Sequence, residues 1–285
     1  MTDGVAKKNG AGAAARQVIV HICVWLTVFF VMFPLLMTLV FSLKNTNDFT
    51  RGFWALPSSL AFGNYAYGFR IMGLNMLNSI VTGAITAFAA VFVSSLTAYV
   101  FSRYEFTGKN FLFSIIIALM MVPGILTLTP SFMNVLNLRL NNTWFAVILP
   151  GIAANIVGGV FLFKTFMSQQ PKDLYESARV EGAGDMTMYF KIAIPLSVPV
   201  LIIQLIGVFS GQYNDYLWPL LVIENQQRQM LMPILKGGIS NLYDENLNKG
   251  IEYAVYICSG IPLIITSAVG LKYFINGDFA SGLKL

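Results

Sequence analysis

Six stretches of this chain are each long and apolar enough to leave water altogether: residues 17–42, 77–101, 110–130, 143–163, 192–218 and 251–275. About 20 mostly apolar residues in a helix cross the hydrocarbon of a bilayer. Lipid imposes the helix, because backbone amides there find no water to bond. Pro34, Pro123, Gly124, Pro195, Pro199 and Pro262 interrupt several of the six, and spanning helices accept such residues where neighbours satisfy the freed backbone groups. The longest connections, 43–76 and 219–250, leave no room for a soluble domain. The expected fold is therefore all-α: a polytopic membrane protein of six transmembrane helices, with residues 1–285 forming a single transmembrane domain.

Composition agrees with that reading. Charged residues make up 11% of the chain, against about 25% in soluble domains, and they cluster between the apolar runs. The net charge of +5 carries no basic stripe interleaved with aromatics, which argues against nucleic acid. Cys23 and Cys258 lie inside apolar runs and read as small core hydrophobes. With His21 the only histidine and no CxxC or HExxH, no metal site is expected. The basic N-terminus ahead of "QVIVHICVWLTVFFVMFPLLMTLVF" resembles a signal peptide, but its apolar run exceeds the usual 7–15 residues or so and no small-residue cleavage site follows. It reads as a retained first span.

Sidedness follows from the basic residues. Of eighteen Lys and Arg, eleven (Lys7, Lys8, Arg16, Arg103, Lys109, Lys164, Lys172, Arg179, Lys191, Lys272 and Lys284) fall on the N-terminal side of the membrane. The positive-inside rule then places both termini in the cytoplasm. Trp54, Trp144 and Trp218 fall at or beyond the outer span ends, where aromatic belts form. The connection between the fourth and fifth spans is thereby cytoplasmic.

That connection carries "QPKDLYESARVEGAG", Gln170–Gly184. Pro171 suits a first helical turn, and Asp173 and Glu176 place acids near the positive helix end, with Asp173 a candidate cap. Gly182 and Gly184 supply a left-handed stop. The residues predict a helix within 171–184, too polar to span and too short to stand alone. Leu174, Tyr175 and Ala178 offer it a small apolar face that needs a partner.

Here a known family comes into view. Glu176, Ser177 and Ala178, followed by Gly182 and Ala183 and then Ile192, Ile194 and Pro195, resemble the EAA loop of binding-protein-dependent ABC importers. The family prefers Ala at Ser177 and Leu at Ile194. The resemblance implies a type I ABC importer permease fold whose loop forms a coupling helix seated on a separate ATPase, through Glu176, Ser177, Ala178, Gly182, Ala183 and Pro195. "NSI" at Asn78–Ile80 resembles the opening of the second span in these permeases, "GQYNDYLWPLLV" at Gly211–Val222 extends the resemblance to the carbohydrate branch, and the tail "ASGLKL" to the second permease subunit of maltose-type importers. It further implies a heterodimeric partner permease, two ATPase subunits that bind ATP and magnesium in place of this chain, an extracytoplasmic sugar-binding protein, and residence in the inner membrane of a prokaryote.

No G-x-x-x-x-G-K-[ST] occurs in the chain, so no ATPase site of that type is expected in it, nor an enzyme activity. Polar residues within spans mark the pathway candidates: Asn155, Gln204, Tyr213, Asn214, Asp215 and Trp218, with Ser94, Ser95 and Thr97 besides. Gly151, Asn155 and Gly159 share one helix face, which reads either as close helix packing or as a pore-facing stripe. Asn214 and Asp215 sit near a span end where water makes polarity inexpensive, so a pathway role and a merely hydrated one both fit. The expected function is uptake of a sugar or oligosaccharide. A permease for an amino acid, peptide or phosphate is the alternative, and an ion-coupled secondary transporter is a further one that the scarcity of acids within spans disfavours.

Overall fold

The computed structural model describes residues 4–237 and 248–275, with side chains placed from 16 to 237 and from 248 to 271. The side chains of Lys7, Lys8, Lys272 and Lys284, used above for sidedness, and the tail at 280–285 lie outside that description. Among the described residues every regular element is helical. They divide into two compact units: residues up to 71 with 243–258, and residues 72–242 with those from 259 onward.

The first unit contains α1 (Gly4–Ser42), α2 (Thr46–Arg51), the start of α3 (Gly63–Arg103) and the start of α13 (Gly250–Ile275). Within α1, residues 16–42 qualify as a span by length and hydropathy, and their most apolar window buries nothing against the protein. Trp25 and Phe30 are each 70% exposed, as a helix surrounded by hydrocarbon would leave them. The turn after α1 is organised by polar contacts. Lys44 is fully buried, donates to the Phe53 carbonyl at 2.8 Å and lies over the Phe41 ring. Asp48 accepts the backbone N–H groups of Asn45 and Ser58, at 3.1 and 3.2 Å. Asn64 donates to the carbonyls of Ser42 and Lys44. A side chain at Gly250 would place its Cβ 2.3 Å from the Lys44 carbonyl, so only glycine fits there.

The second unit carries the rest of α3 and α4 (Lys109–Met120), α5 (Gly124–Asn137), α6 (Phe145–Met167), α7 (Lys172–Val180), α8 (Asp185–Met188), α9 (Ile194–Leu196), α10 (Val198–Tyr213), α11 (Leu217–Val222) and α12 (Leu231–Lys236). Among the described residues of both units, four helices are long and apolar enough to cross a membrane, or up to six spans if each of two bent pairs counts as one. Two expected spans are thus not straight helices. The segment at 110–130 is α4 and α5, bent by 99°. Pro123 is responsible: it cannot donate a helical hydrogen bond, and its extended ψ of 127° ends the first helix and starts the second. The segment at 192–218 takes in the end of a helical stretch at 185–196 and then α10, which turns from it by 79°. Two prolines four residues apart, Pro195 and Pro199, flank that bend at Ser197.

Elsewhere boundaries move outward. The span expected at 77–101 belongs to a helix that begins at Gly63, and the one at 143–163 runs as α6 to Met167. Asn78 and Ser79 therefore sit in mid-helix rather than at its opening. There they hold a returning loop: Asn78 donates to the Gln227 and Gln229 carbonyls, Asn75 to those of Gln226 and Gln229, and the Leu231 N–H donates to Ser79 Oγ. Hydroxyls in the apolar helices turn back on their own turns, as Ser94 Oγ does to the Ala90 carbonyl at 2.6 Å. Such bonds let a hydroxyl sit in an apolar helix without a lost partner.

Candidate functional site

Two places in the second unit gather the chemistry. The first surrounds α7. Its first turn is entered through Pro171, in an extended conformation, and no side chain caps it. Asp173 lies in the first turn and acts through its charge at the positive end, not as the cap the sequence suggested. Its far end closes as a Schellman motif. The Gly182 N–H donates to the Arg179 carbonyl at 3.0 Å and the Ala183 N–H to the Ala178 carbonyl at 2.9 Å. Gly182 takes φ +81°, the left-handed conformation that motif requires. Gly184 does not share the role; it is extended, at φ −74° and ψ 162°, and opens α8.

The helix is bound to its own chain on one side only. Tyr175 is buried, and Ala178 and Ala183 pack with it against a core that includes Tyr99, Phe163, Met167, Met188 and Tyr189. The apolar face expected of Leu174, Tyr175 and Ala178 is therefore split, since Leu174 points away and is 47% exposed. Glu176, Ser177 and Gly182 are exposed with it, and Val180 is 88% exposed. Pro195 is exposed too, but it belongs to the bend and not to this outer face.

Arg103, the last residue of α3, locks the arrangement. Its guanidinium donates to the Met167 carbonyl at 2.6 Å and to Gln170 Oε1 at 3.2 Å, and lies 3.8 Å from the centre of the Tyr175 ring. Gln170 accepts the Tyr175 hydroxyl and donates to Ser197 Oγ at 3.0 Å. Burial pushes the Tyr175 phenol up in pKa, against the lowering influence of Arg103, so the hydroxyl keeps the proton it donates. One small network thus ties the end of α3, the entry to α7 and the bend at Ser197. Just before the bend, Tyr189–Ala193 widens into a π turn closed by the Ile194 N–H on the Tyr189 carbonyl. Pro195 explains it, because its ring crowds the carbonyl four residues back and it has no N–H to offer.

The second place is a cavity of about 380 Å³ lined by α5, α6 and the end of α10. Asn155, Asp215 and Trp218 line it, as do Gln212, Thr127 and Ser131, which sequence reasoning passed over. Gln204, Tyr213 and Asn214 do not. Tyr213 is fully buried and donates to the Ser259 carbonyl at 2.8 Å, Asn214 donates to the Ser210 carbonyl of its own helix, and Gln204 lies near Gly159. The stripe of Gly151, Asn155 and Gly159 divides accordingly. A Cβ on Gly159 would meet Ser94 Oγ at 2.6 Å, which makes that end close helix packing. Gly151 and Asn155 face the cavity. Ser94 and Ser95 are buried in packing, Ser95 paired with the Tyr189 hydroxyl at 2.8 Å.

Comparison with known proteins meets this geometry at both places. The sequence profile of the family described as "Binding-protein-dependent transport system inner membrane component" matches residues 90–275, a range that holds the α7 network and the cavity together. The chain belongs to that family. The permease is 31% identical over 271 residues to the arabinooligosaccharides transport system permease protein AraQ of Bacillus subtilis (strain 168), covering 91% of this chain and 95% of that one. It is 30% identical over 207 residues to the trehalose/maltose transport system permease protein MalG of Thermococcus litoralis, covering 73% and 74%. Its fold matches a chain from the crystal structure of a bacterial ABC transporter involved in the import of the acidic polysaccharide alginate, with a TM-score of 0.79 at 20% identity over 92% of this chain and 98% of that one. The permease thus has the all-helical fold of an ABC importer membrane component, and a component of this kind works within a complex of further subunits.

Proposed function

We propose that this permease imports a sugar or oligosaccharide by coupling to ATP hydrolysis on separate subunits, through α7. The observation that carries the reading is the asymmetry of α7: a short helix locked to its own chain by Tyr175 and Arg103, with Leu174, Glu176, Ser177 and Val180 turned outward. An apolar and acidic face on a helix this short has no reason to stay exposed unless another protein covers it. The family match and the sugar permeases among the relatives support that protein being an ATPase and the cargo being carbohydrate.

In this account Glu176, Ser177 and Gly182 meet the ATPase, Ala178 and Ala183 seat the helix on the bundle, and Pro195 shapes the bend that receives the movement. ATP and magnesium act on two ATPase subunits, whose closure drives a rigid-body change in the spans. A second permease and an extracytoplasmic sugar-binding protein complete the complex. The N-terminus faces the cytoplasm of a prokaryotic host, as the basic residues suggest. Asn155, Asp215 and Trp218 line the route of the cargo.

Proteoliposomes test this directly. Uptake of labelled oligosaccharide is expected only when the partner permease, the ATPase subunits and the binding protein are reconstituted with the chain and ATP is supplied. Uptake by the chain alone, driven by an ion gradient, would contradict the proposal and favour a secondary transporter.

A further inference from the structure

The geometry points to a lipid contact outside the transport machinery: the loop at residues 53–62, after α2, folds back beside α1 and wedges into the bilayer leaflet where that span ends. It rests on α1 being a span and is independent of the cargo. The sequence supplies the material. "FWALPSSLAF" carries no charged residue, and Phe53, Trp54, Leu56, Leu60 and Phe62 are 57–77% exposed. Five large apolar side chains in one short loop form a patch that water alone does not favour.

Ring contacts set the depth. Phe41, beside the end of α1, packs on Phe53 with ring centres 4.8 Å apart, Phe53 on Trp54 at 5.0 Å, and Trp54 on Phe33 at 6.4 Å. Phe33 precedes Ser42, the last residue of α1, by nine positions, about 14 Å along the helix. The span has 27 residues and is therefore about 40 Å long, against about 30 Å of hydrocarbon. With the excess shared between its ends, Phe33 lies about 9 Å inside the hydrocarbon, and Trp54 lies beside it. Interfacial elements settle at such depths, about 5–10 Å.

The polar groups are arranged for that place. Unpaired backbone groups are what keep most loops out of lipid. Here the Phe53 carbonyl accepts from the buried Lys44, the Ser58 N–H donates to Asp48, the Ala61 N–H donates to the Leu43 carbonyl at 3.0 Å, and Pro57 has no N–H to satisfy. On the other side of the loop, α2 leaves Thr46, Asn47 and Thr50 exposed to water. Between the two layers stands Arg51, 66% exposed. Its neighbour Asp48, 3.9 Å away, is held by two backbone N–H groups, which leaves the guanidinium open to a lipid phosphate. A polar layer, a cation and an apolar wedge follow one another as water, headgroup and acyl chain do. A protein partner covering the wedge would not require that order.

The test uses the assembled complex in vesicles of phosphatidylethanolamine and phosphatidylglycerol. A genetically encoded nitroxide residue replaces Leu56 or, as the water-facing control, Asn47. Paramagnetic relaxation by oxygen, which partitions into lipid, is compared with relaxation by a water-soluble nickel chelate. The oxygen-to-nickel ratio is expected to be at least fivefold higher at position 56 than at 47. Equal ratios would put the loop in water, and exclusion of both reagents from position 56 would put it under a protein partner; either result overturns the inference. Trp54→Phe supplies a second reading that needs no label. The fluorescence lost in that variant should be quenched at least twofold more by lipids brominated near the headgroup end of the acyl chain than by a brominated water-soluble quencher. Quenching by the water-soluble reagent alone, or by neither, would overturn it equally.

Discussion

The α7 network and the cavity are built from similar residues (amides, a tyrosine or tryptophan, one charged group), yet they use them in opposite ways. Around α7 the polar groups consume one another: Arg103, Gln170, Tyr175 and Ser197 bond mutually, and the aromatic ring is covered by a guanidinium. In the cavity the same kinds of group are half used. Asn155 donates to the Gly151 carbonyl, Asp215 accepts backbone N–H groups that include that of Trp218, and neither is bonded to another side chain. A network whose groups bond one another, with only Arg103 Nε left without a partner, resists deformation and passes on force; groups that keep acceptors open suit a ligand. The difference fits the proposed reading, in which one place receives energy and the other cargo.

Breaking the first network should have the largest effect. Arg103→Ala strands the Met167 carbonyl and Gln170 in a nearly buried site, a loss of about 3 kcal/mol. ATP-driven uptake by the reconstituted complex should fall at least tenfold while the ATPase subunits remain active, and a lowered midpoint in thermal unfolding should accompany it. Uptake at wild-type levels would show that the Arg103 contacts do not transmit anything.

Next in size is Gly159→Ala. Its Cβ would stand 2.8 Å from Ser94 Cβ, so α6 and α3 must part, at about 1–3 kcal/mol for overpacking. Thermal unfolding of the purified complex checks it, and Gly158→Ala is the control, because a Cβ at that neighbouring glycine meets nothing within 4 Å. Equal midpoints for the two variants would deny the close approach.

Gly182→Ala probes the end of α7 by backbone alone, since a Cβ there meets nothing within 4 Å. The left-handed conformation costs a non-glycine residue about 1–2 kcal/mol. The ratio of uptake to ATP hydrolysed should fall in Gly182→Ala and recover partly in Gly182→Asn, because asparagine tolerates that conformation better. An identical ratio in both variants would remove the Schellman motif from the coupling path.

The smallest effect lies in the first unit. The Ser58 hydroxyl, with the backbone amides of Asn45 and Ser58, holds the Asp48 carboxyl below its ordinary value of 3.8. A depressed carboxylate contributes stability above its unfolded pKa and loses it as pH falls through the lower folded value. The turn should therefore keep its structure down to about pH 4 and loosen below, read by fluorescence of Trp54 beside it, while Asp48→Asn should show no such transition.

The sequence made the apolar helices and the polar α7 legible because both depend on local pattern: run length in the first case, and a proline entry with a glycine exit in the second. Pro123–Gly124 and the Pro195/Pro199 pair carried the signal for the two bends, which run length alone concealed by joining the pieces into single spans. Arg103 gave no local sign at all. Its partners lie more than sixty residues away, and as the last charged residue of a span it looked like a topology marker. Gln212 was hidden likewise, for only the missing side chain at Gly151 brings its amide into the cavity.

The central claim is that another subunit covers the outer face of α7. Replacing Val180, 88% exposed, with a photo-cross-linkable phenylalanine analogue in the assembled complex tests it, with Leu56 of the first unit, 77% exposed, as the control position. The account predicts an adduct with the ATPase subunit from position 180, changing in yield with ATP, and none from position 56. No adduct from 180, or equal ATP-independent adducts from both, would contradict it.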